Sequence, residues 1–439
     1  MKLNFSGRNM DIGTFPFRFM RILGIAGTGG SETHECFLTL ERIKDRSDQS
    51  WVREWANTAA QTEQLAERAE HDGQFVTARQ AFLRSCAYYQ AAMFSLSPAD
   101  QRLFDYLAKG RELFHKAAKM LSPQIEVLQI PFGNAHLPAY FLSGGQPKGP
   151  TLVVINGGDS TNEEMVHFVG FAAAKRGWNC LVFEGPGQWS ALQLNPGLVM
   201  TVEYEKPTKA VIDCLLQRAD VDPDQIAIYG LSLSSLLAPR VAAYEKRIRA
   251  CIVNGGPVVD VNQAWEAVRP VWVKKTIPGI WDLFFGMLMK VNPRLGSFVN
   301  HFEWSFGVST VREVVEAWRP FNITDLAPLI ECPTLILEAE AEYAQTDRKT
   351  VQISLGFIGN LKCPVTIHEF GINSDGWGAS HCQIGGYEAA NQVIFDWLDK
   401  VVVKGLKLNP SEFDTSMLKK YHHGKDLDKI TESIRCSVI

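Results

Sequence analysis

A chain of 439 residues, 46% hydrophobic and 21% charged, has the composition of an ordinary globular protein and the length of two or three structural units, which excludes a disordered chain and a single small core. Its 44 Lys and Arg against 48 Asp and Glu leave a formal charge of -4, so no nucleic-acid partner is expected. No apolar run approaches the roughly 20 residues of a membrane-spanning helix.

At the amino terminus Lys2, Arg8, Arg18 and Arg21 surround or precede a short stretch, Ile22 to Ala26, that glycine interrupts, too brief for a secretory signal. The nine cysteines (36, 86, 180, 214, 251, 332, 363, 382 and 436) are odd in number, scattered, and form no CxxC pair. Reduced, core-filling thiols in a cytoplasmic protein are therefore expected, with no metal site. From Ser50 to about Leu121 apolar residues recur at three- and four-residue spacing, with Ala59, Leu65, Ala66 and Ala69 on one stripe and Phe75, Ala78, Ala81, Phe82, Ala87 and Tyr88 on the next. Residues 1–122 are read as a helical N-terminal layer.

After Ser122-Pro123 the texture changes to short β-branched runs separated by helical patterns. Eight strands are expected: Ile125 to Pro131, Leu137 to Leu142, Thr151 to Ile155, Cys180 to Phe183, Ile226 to Tyr229, Ala250 to Val253, Thr334 to Leu337 and Val365 to Phe370. Gly133-Asn134 joins the first two as a hairpin, and the later connections are long enough for parallel crossovers. The fold class is α/β, a doubly wound and mostly parallel sheet built from 123–255 and 326–404. Residues 256–325 interrupt it as an inserted helical cap rich in aromatics, among them Trp265, Trp272, Trp281, Trp304, Trp318, Phe302 and Phe306. Most of these are expected to pack cap to core, and Trp265 and Trp272 to line an apolar pocket. Residues 405–439 form a tail whose last four, Cys436-Ser437-Val438-Ile439, have only the outline of a prenylation box, since Ser437 is not aliphatic.

The chemistry is expected where the fifth strand meets a helix. Ile226-Ala-Ile-Tyr-Gly230-Leu231-Ser232-Leu233-Ser234-Ser235 is a strand, a turn of small residues and a helix start, the setting of a nucleophile elbow at Ser232. Gly230 fits the close packing of such a turn, whereas Ser234 stands where the usual pattern has glycine. A serine needs a base, and in this chain order the acid comes next and the histidine last. His381, in Gly378-Ala-Ser-His381-Cys-Gln before the final helix, is the candidate; His301 is set aside as a cap residue. For the acid, Glu342 lies three residues after Ala339, with Glu338 and Glu340 as rivals. Oxyanion donors are expected from the amides of Leu233 and Gly158, the latter in Asn156-Gly157-Gly158-Asp159, with Asp159 beside the pocket.

The span from about Trp51 to Val402 resembles α/β-hydrolases of the 2,6-dihydroxypseudooxynicotine hydrolase type and the fungal yellowish-green-pigment hydrolases that shorten polyketides. The matching stretches are Gly157-Gly158-Asp159-Ser160-Thr161, Phe183-Glu184-Gly185-Pro186-Gly187-Gln188, Val221-Asp222-Pro223-Asp224-Gln225-Ile226-Ala227, Gly230-Leu231-Ser232-Leu233, Ala238-Pro239-Arg240 and His381-Cys382-Gln383. The resemblance implies a Ser-acid-His triad, no metal or organic cofactor, a helical layer over the site and a homodimer. It implies hydrolysis of carbon-carbon or ester bonds in a small, largely apolar polyketide-like substrate in fungal secondary metabolism. Ser234 and Glu342 depart from the Gly and Asp of the resembled pattern. A cyclase or acyltransferase on the same triad, and a non-catalytic binding module, are the alternatives.

Overall fold

The structure, a computed structural model, describes residues 14–44, 47–256, 259–263, 287, 289, 293–340, 342, 348–371 and 378–406. Its eleven helices of eight or more described residues are α1 (Phe15–Leu23), α2 (Thr33–Arg42), α3 (Asp48–His71), α4 (Phe75–Met93), α5 (Gln101–Lys119), α6 (Glu205–Leu215), α7 (Ser234–Tyr244), α8 (Pro293–Phe306), α9 (Val311–Trp318), α10 (Arg348–Gly359) and α11 (Tyr387–Leu398). The strands are β1 (Glu126–Phe132), β2 (Ala135–Leu142), β3 (Gly149–Ile155), β4 (Asn179–Phe183), β5 (Val221–Leu231), β6 (Ala250–Asn254), β7 (Thr334–Ala339) and β8 (Val365–Phe370). They form one sheet in the order β1-β2-β4-β3-β5-β6-β7-β8, antiparallel at β1-β2 and β2-β4 and parallel thereafter. All eight expected strands are present, and the α/β-hydrolase sheet is the observed fold.

Strand alternation divides the core in two. Leu152 and Val154 of β3, Ala227 and Tyr229 of β5, and Leu335 and Leu337 of β7 face the N-terminal helices and α11. Val153, Ile155, Ile226, Ile228 and Ile336 face the opposite side, with α6, α7 and the aromatic residues Phe302, Phe306, Trp318 and Phe321. Those four aromatics pack on one another, with Trp318 4.8 Å from Phe302 and 4.7 Å from Phe321 between ring centroids. They pack against the sheet residues on this side. Trp265, Trp272 and Trp281, like the tail with Cys436, lie outside the described residues.

The helical layer begins earlier than its periodicity suggests. α1 and α2 precede it, and α1 is amphipathic enough to bury Phe15, Phe17, Phe19 and Ile22. Thr14 caps its start and Pro16 sits in its first turn, where a missing N–H costs nothing. Leu65 and Phe75, placed on apolar stripes by spacing, are exposed instead, Phe75 as the first residue of α4. α3 and α4 pack as a hairpin around Trp51, Trp55, Ala59 and Ala66, all fully buried, and the Trp51 indole donates to the Ala91 carbonyl at 2.7 Å. Trp51→Ala is expected to cost about 3–5 kcal/mol through the cavity and the orphaned carbonyl, measured as a lowered denaturation midpoint. Among the described residues no helix is long and apolar enough to cross a membrane.

Candidate active site

β5 runs directly into the turn that presents Ser232. That residue has φ +57°, a left-handed conformation rare outside glycine, and the turn is held by Ser232 N–H donating to the Asn254 carbonyl at 2.6 Å. Gly230 is required by space: a Cβ there would lie 1.9 Å from the Ser234 carbonyl oxygen and 2.6 Å from Ala238 Cβ. Ser234 departs from the glycine pattern without crowding, because its buried hydroxyl donates to the Asn156 carbonyl at 2.5 Å.

His381 reaches this turn from the loop after β8. Its Nε2 lies 2.8 Å from Ser232 Oγ, and its Nδ1 is hydrogen-bonded to the Glu342 carboxylate. Of the three glutamates left open, Glu342 is hydrogen-bonded to the imidazole, and Glu338 is buried within β7. The ring is 11% exposed, with Phe17 of α1 6.4 Å away between centroids. Burial alone would lower the His381 pKa, but Cys382 and Glu342 outweigh it and the imidazole sits well above its ordinary value. The Cys382 thiol, 3.4 Å from Nε2, is itself pushed up by burial and stays neutral, so the Glu342 carboxylate is the charge that counts.

The end of β6 braces both partners. Asn254 takes Ser232 N–H on its carbonyl, while its side-chain amide donates to Gln383 Oε1 at 2.7 Å and Tyr229 Oη at 2.8 Å. One residue thus ties the serine turn to the histidine loop. Gly255 and Gly256 leave room beside it, since a Cβ at 255 would come within 2.5 Å of Ser232 Cα, and one at 256 within 3.0 Å of Glu342 Oε1.

The turn after β3 closes the other flank. A Cβ on Gly158 would meet Leu233 Cδ2 at 3.4 Å, so the two expected oxyanion donors are neighbours. Neither the Leu233 nor the Gly158 amide donates a hydrogen bond among the described residues. Beside them Asp159 is gripped by Arg21 of α1, whose guanidinium donates to Asp159 Oδ2 at 2.8 Å, to its carbonyl at 3.2 Å, and to Ser160 and Glu164. The Arg21 side chain is 5% exposed, whereas that of Asp159 is 55% exposed. Desolvation would raise the Asp159 pKa, but Arg21 outweighs it and holds the carboxyl below the usual range. The result is an ionised, reachable carboxylate beside the serine.

Residues 24–272 match the family described as esterase FrsA-like, which is more than half of the chain. The chain belongs to the FrsA-like esterase family. This FrsA-like chain is 30% identical over 411 residues to the hydrolase LUC6 of Fusarium sp, covering 88% of its own length and 96% of the relative. It is also 30% identical to the 20-hydroxy-prefusarin hydrolase FUS2 of Gibberella moniliformis, over 88% and 96% of the two chains. In three dimensions it is similar to 2,6-dihydroxy-pseudo-oxynicotine hydrolase, with a TM-score of 0.68 and 24% identity over 88% of this chain and 97% of that one. The FrsA-like protein is thus an enzyme with hydrolase activity.

Sequence reasoning missed Asn254, Gly255 and Gly256, and it missed Phe17, Arg21, Gln188 and His301 as neighbours of the site. One signal was available: the strands on either side of β5 both end in Asn-Gly-Gly, at 156–158 and at 254–256.

Proposed function

We propose that this enzyme is a serine hydrolase with a Ser232-Glu342-His381 triad that cleaves a carbon-carbon, ester or thioester bond beside a carbonyl in a polyketide-like substrate. The observation that carries the reading is the continuous hydrogen-bonded chain from Ser232 Oγ through His381 to Glu342, next to two amides with no hydrogen-bond partner among the described residues. Ser232 attacks the substrate carbonyl while His381 Nε2 takes its proton, and Glu342 holds Nδ1–H and steadies the imidazolium. The Leu233 and Gly158 amides receive the oxyanion. His381 then returns the proton to the leaving group, an enolate from a 1,3-dicarbonyl or an alkoxide or thiolate otherwise, and water releases the acyl group.

The substrate is read as a small, largely apolar carbonyl compound carrying a hydroxyl. FUS2 is named for a hydroxylated compound, and the Asp159 carboxylate supplies an acceptor for such a group. We place the enzyme in the cytosol, as a homodimer acting in fungal secondary metabolism.

Turnover of a β-keto ester or 1,3-diketone in oxygen-18 water tests the reading. One labelled oxygen in the acid product, together with labelling of the enzyme by a fluorophosphonate, is the expected result. A product of unchanged mass would assign the acyl-enzyme to intramolecular transfer, and a wild-type enzyme that no fluorophosphonate labels would overturn the triad.

A further inference from the structure

The turn after β3 is held from behind at three successive carbonyls. Asn156 O accepts from Ser234 Oγ at 2.5 Å and from Gln188 Nε2 at 2.7 Å; Gly157 O accepts from Gln188 Nε2 at 3.3 Å; Gly158 O accepts from His301 Nε2 at 2.8 Å. In a planar trans peptide the N–H points opposite to the carbonyl of the preceding residue. Fixing the carbonyls of Asn156 and Gly157 therefore fixes the direction of the Gly157 and Gly158 N–H groups, and the His301 bond fixes that of Asp159.

Each donor is itself constrained. Gln188 is fully buried, and its Oε1 accepts from Gly185 N–H at 2.7 Å, so its amide cannot turn. Ser234 is fully buried at the start of α7. A carbonyl only accepts, so His301 must present Nε2–H, and its ring is wedged against Trp189 at 4.5 Å and Phe302 at 5.1 Å between centroids. His301 is also one helical turn from Ser305, whose hydroxyl donates to the Gly187 carbonyl at 2.7 Å. One face of α8 thus grips both the turn that carries Gly158 and the turn that carries Gln188.

The geometry points to Gln188 as the residue that sets the peptide carrying the Gly158 amide, and to Ser234 and His301 as positioning residues that pin the peptides before and after it, so that the Gly158 amide stays aimed at the developing oxyanion and His301 makes that alignment depend on the docking of helix α8. This rests on the serine-hydrolase reading. It gives a role to two features that the triad alone leaves unused, the Phe183 to Gln188 motif and the serine at 234.

The test compares wild type, Ser234→Gly, His301→Leu and His301→Gln as full-length chains, reading the second-order rate of fluorophosphonate labelling, the affinity for a trifluoromethyl ketone and the thermal midpoint. His301→Leu is expected to slow labelling and weaken ketone affinity in parallel by about 10- to 100-fold, and Ser234→Gly by about 3- to 10-fold. His301→Gln, which keeps an N–H donor, is expected to recover most of the loss while its thermal midpoint stays with that of the leucine variant. Equal behaviour of the Gln and Leu variants, or losses that follow the thermal midpoint instead of the donor, would overturn the inference. Absence of labelling in the wild type would overturn the triad reading, and this inference with it.

Discussion

Ser232→Ala is expected to lower turnover by about a million-fold, the scale at which loss of the nucleophile removes a whole triad's contribution. The oxyanion amides and the pocket remain, so a residual rate of about 10³- to 10⁴-fold over the uncatalysed reaction is expected with substrate binding little changed. The fold should be unaffected, because alanine keeps the same left-handed backbone and the Ser232 N–H bond to Asn254 is a main-chain contact. Ser232→Gly separates the two properties further. It is equally inactive, yet it is expected to gain about 1 kcal/mol of stability by relieving a left-handed conformation that glycine adopts without strain. Steady-state kinetics beside denaturant titration reads both effects. A Ser232→Ala enzyme retaining a tenth of wild-type turnover would remove the serine from the chemistry.

Glu342→Gln is expected to cost about 10⁴-fold in kcat. The amide can donate to His381 Nδ1, which stabilises the tautomer whose proton sits on Nε2 and faces the serine, so the base can no longer accept Ser232's proton. The pH profile carries a second signature. Activity requires neutral His381, and the raised pKa places the acidic limb of kcat/KM above the ordinary imidazole range of about 6.5. Removing the carboxylate takes away one of the influences that oppose burial, so the limb in Glu342→Gln should move to lower pH. Stability follows the same linkage. The stabilisation from the protonated pair is present in full below about pH 6.5 and fades as pH rises through the folded value, and in the variant this dependence should weaken. An unmoved limb would assign the pKa shift to another group.

Legibility of the fold and site followed the range of the interactions involved. The eight strands were readable because each is a short β-branched run between turn residues, and the hairpin at Gly133-Asn134 because its turn is local. Ser232 was readable because strand, small residues and helix lie within ten positions of one another. The proposed triad acid is harder to read: Glu338, Glu340 and Glu342 sit on a two-residue spacing, and the hydrogen bond between Glu342 and His381, 39 positions apart, is long-range. Arg21 escaped because a basic residue among phenylalanines near an amino terminus reads as a flank, while its burial depends on Asp159 and Glu164, more than a hundred positions distant. His301 escaped for the converse reason. It reads as a cap residue, and nothing in its neighbourhood reveals that its partner is a carbonyl after β3.

The grip of Arg21 and the placement of Phe17 bear on how far this catalyst can be dissected or transplanted. A chain begun at Gly24 would keep every strand and both Asn-Gly-Gly turns, yet it would lose the Phe17 ring that neighbours His381 and release Asp159 and Glu164 from the charge of Arg21. Chimaeras that exchange the sheet unit between relatives would have to carry the first helix along with it, as one inherited block. The helix Phe15–Leu23, which looks dispensable as sequence, sets the smallest portable version of the enzyme.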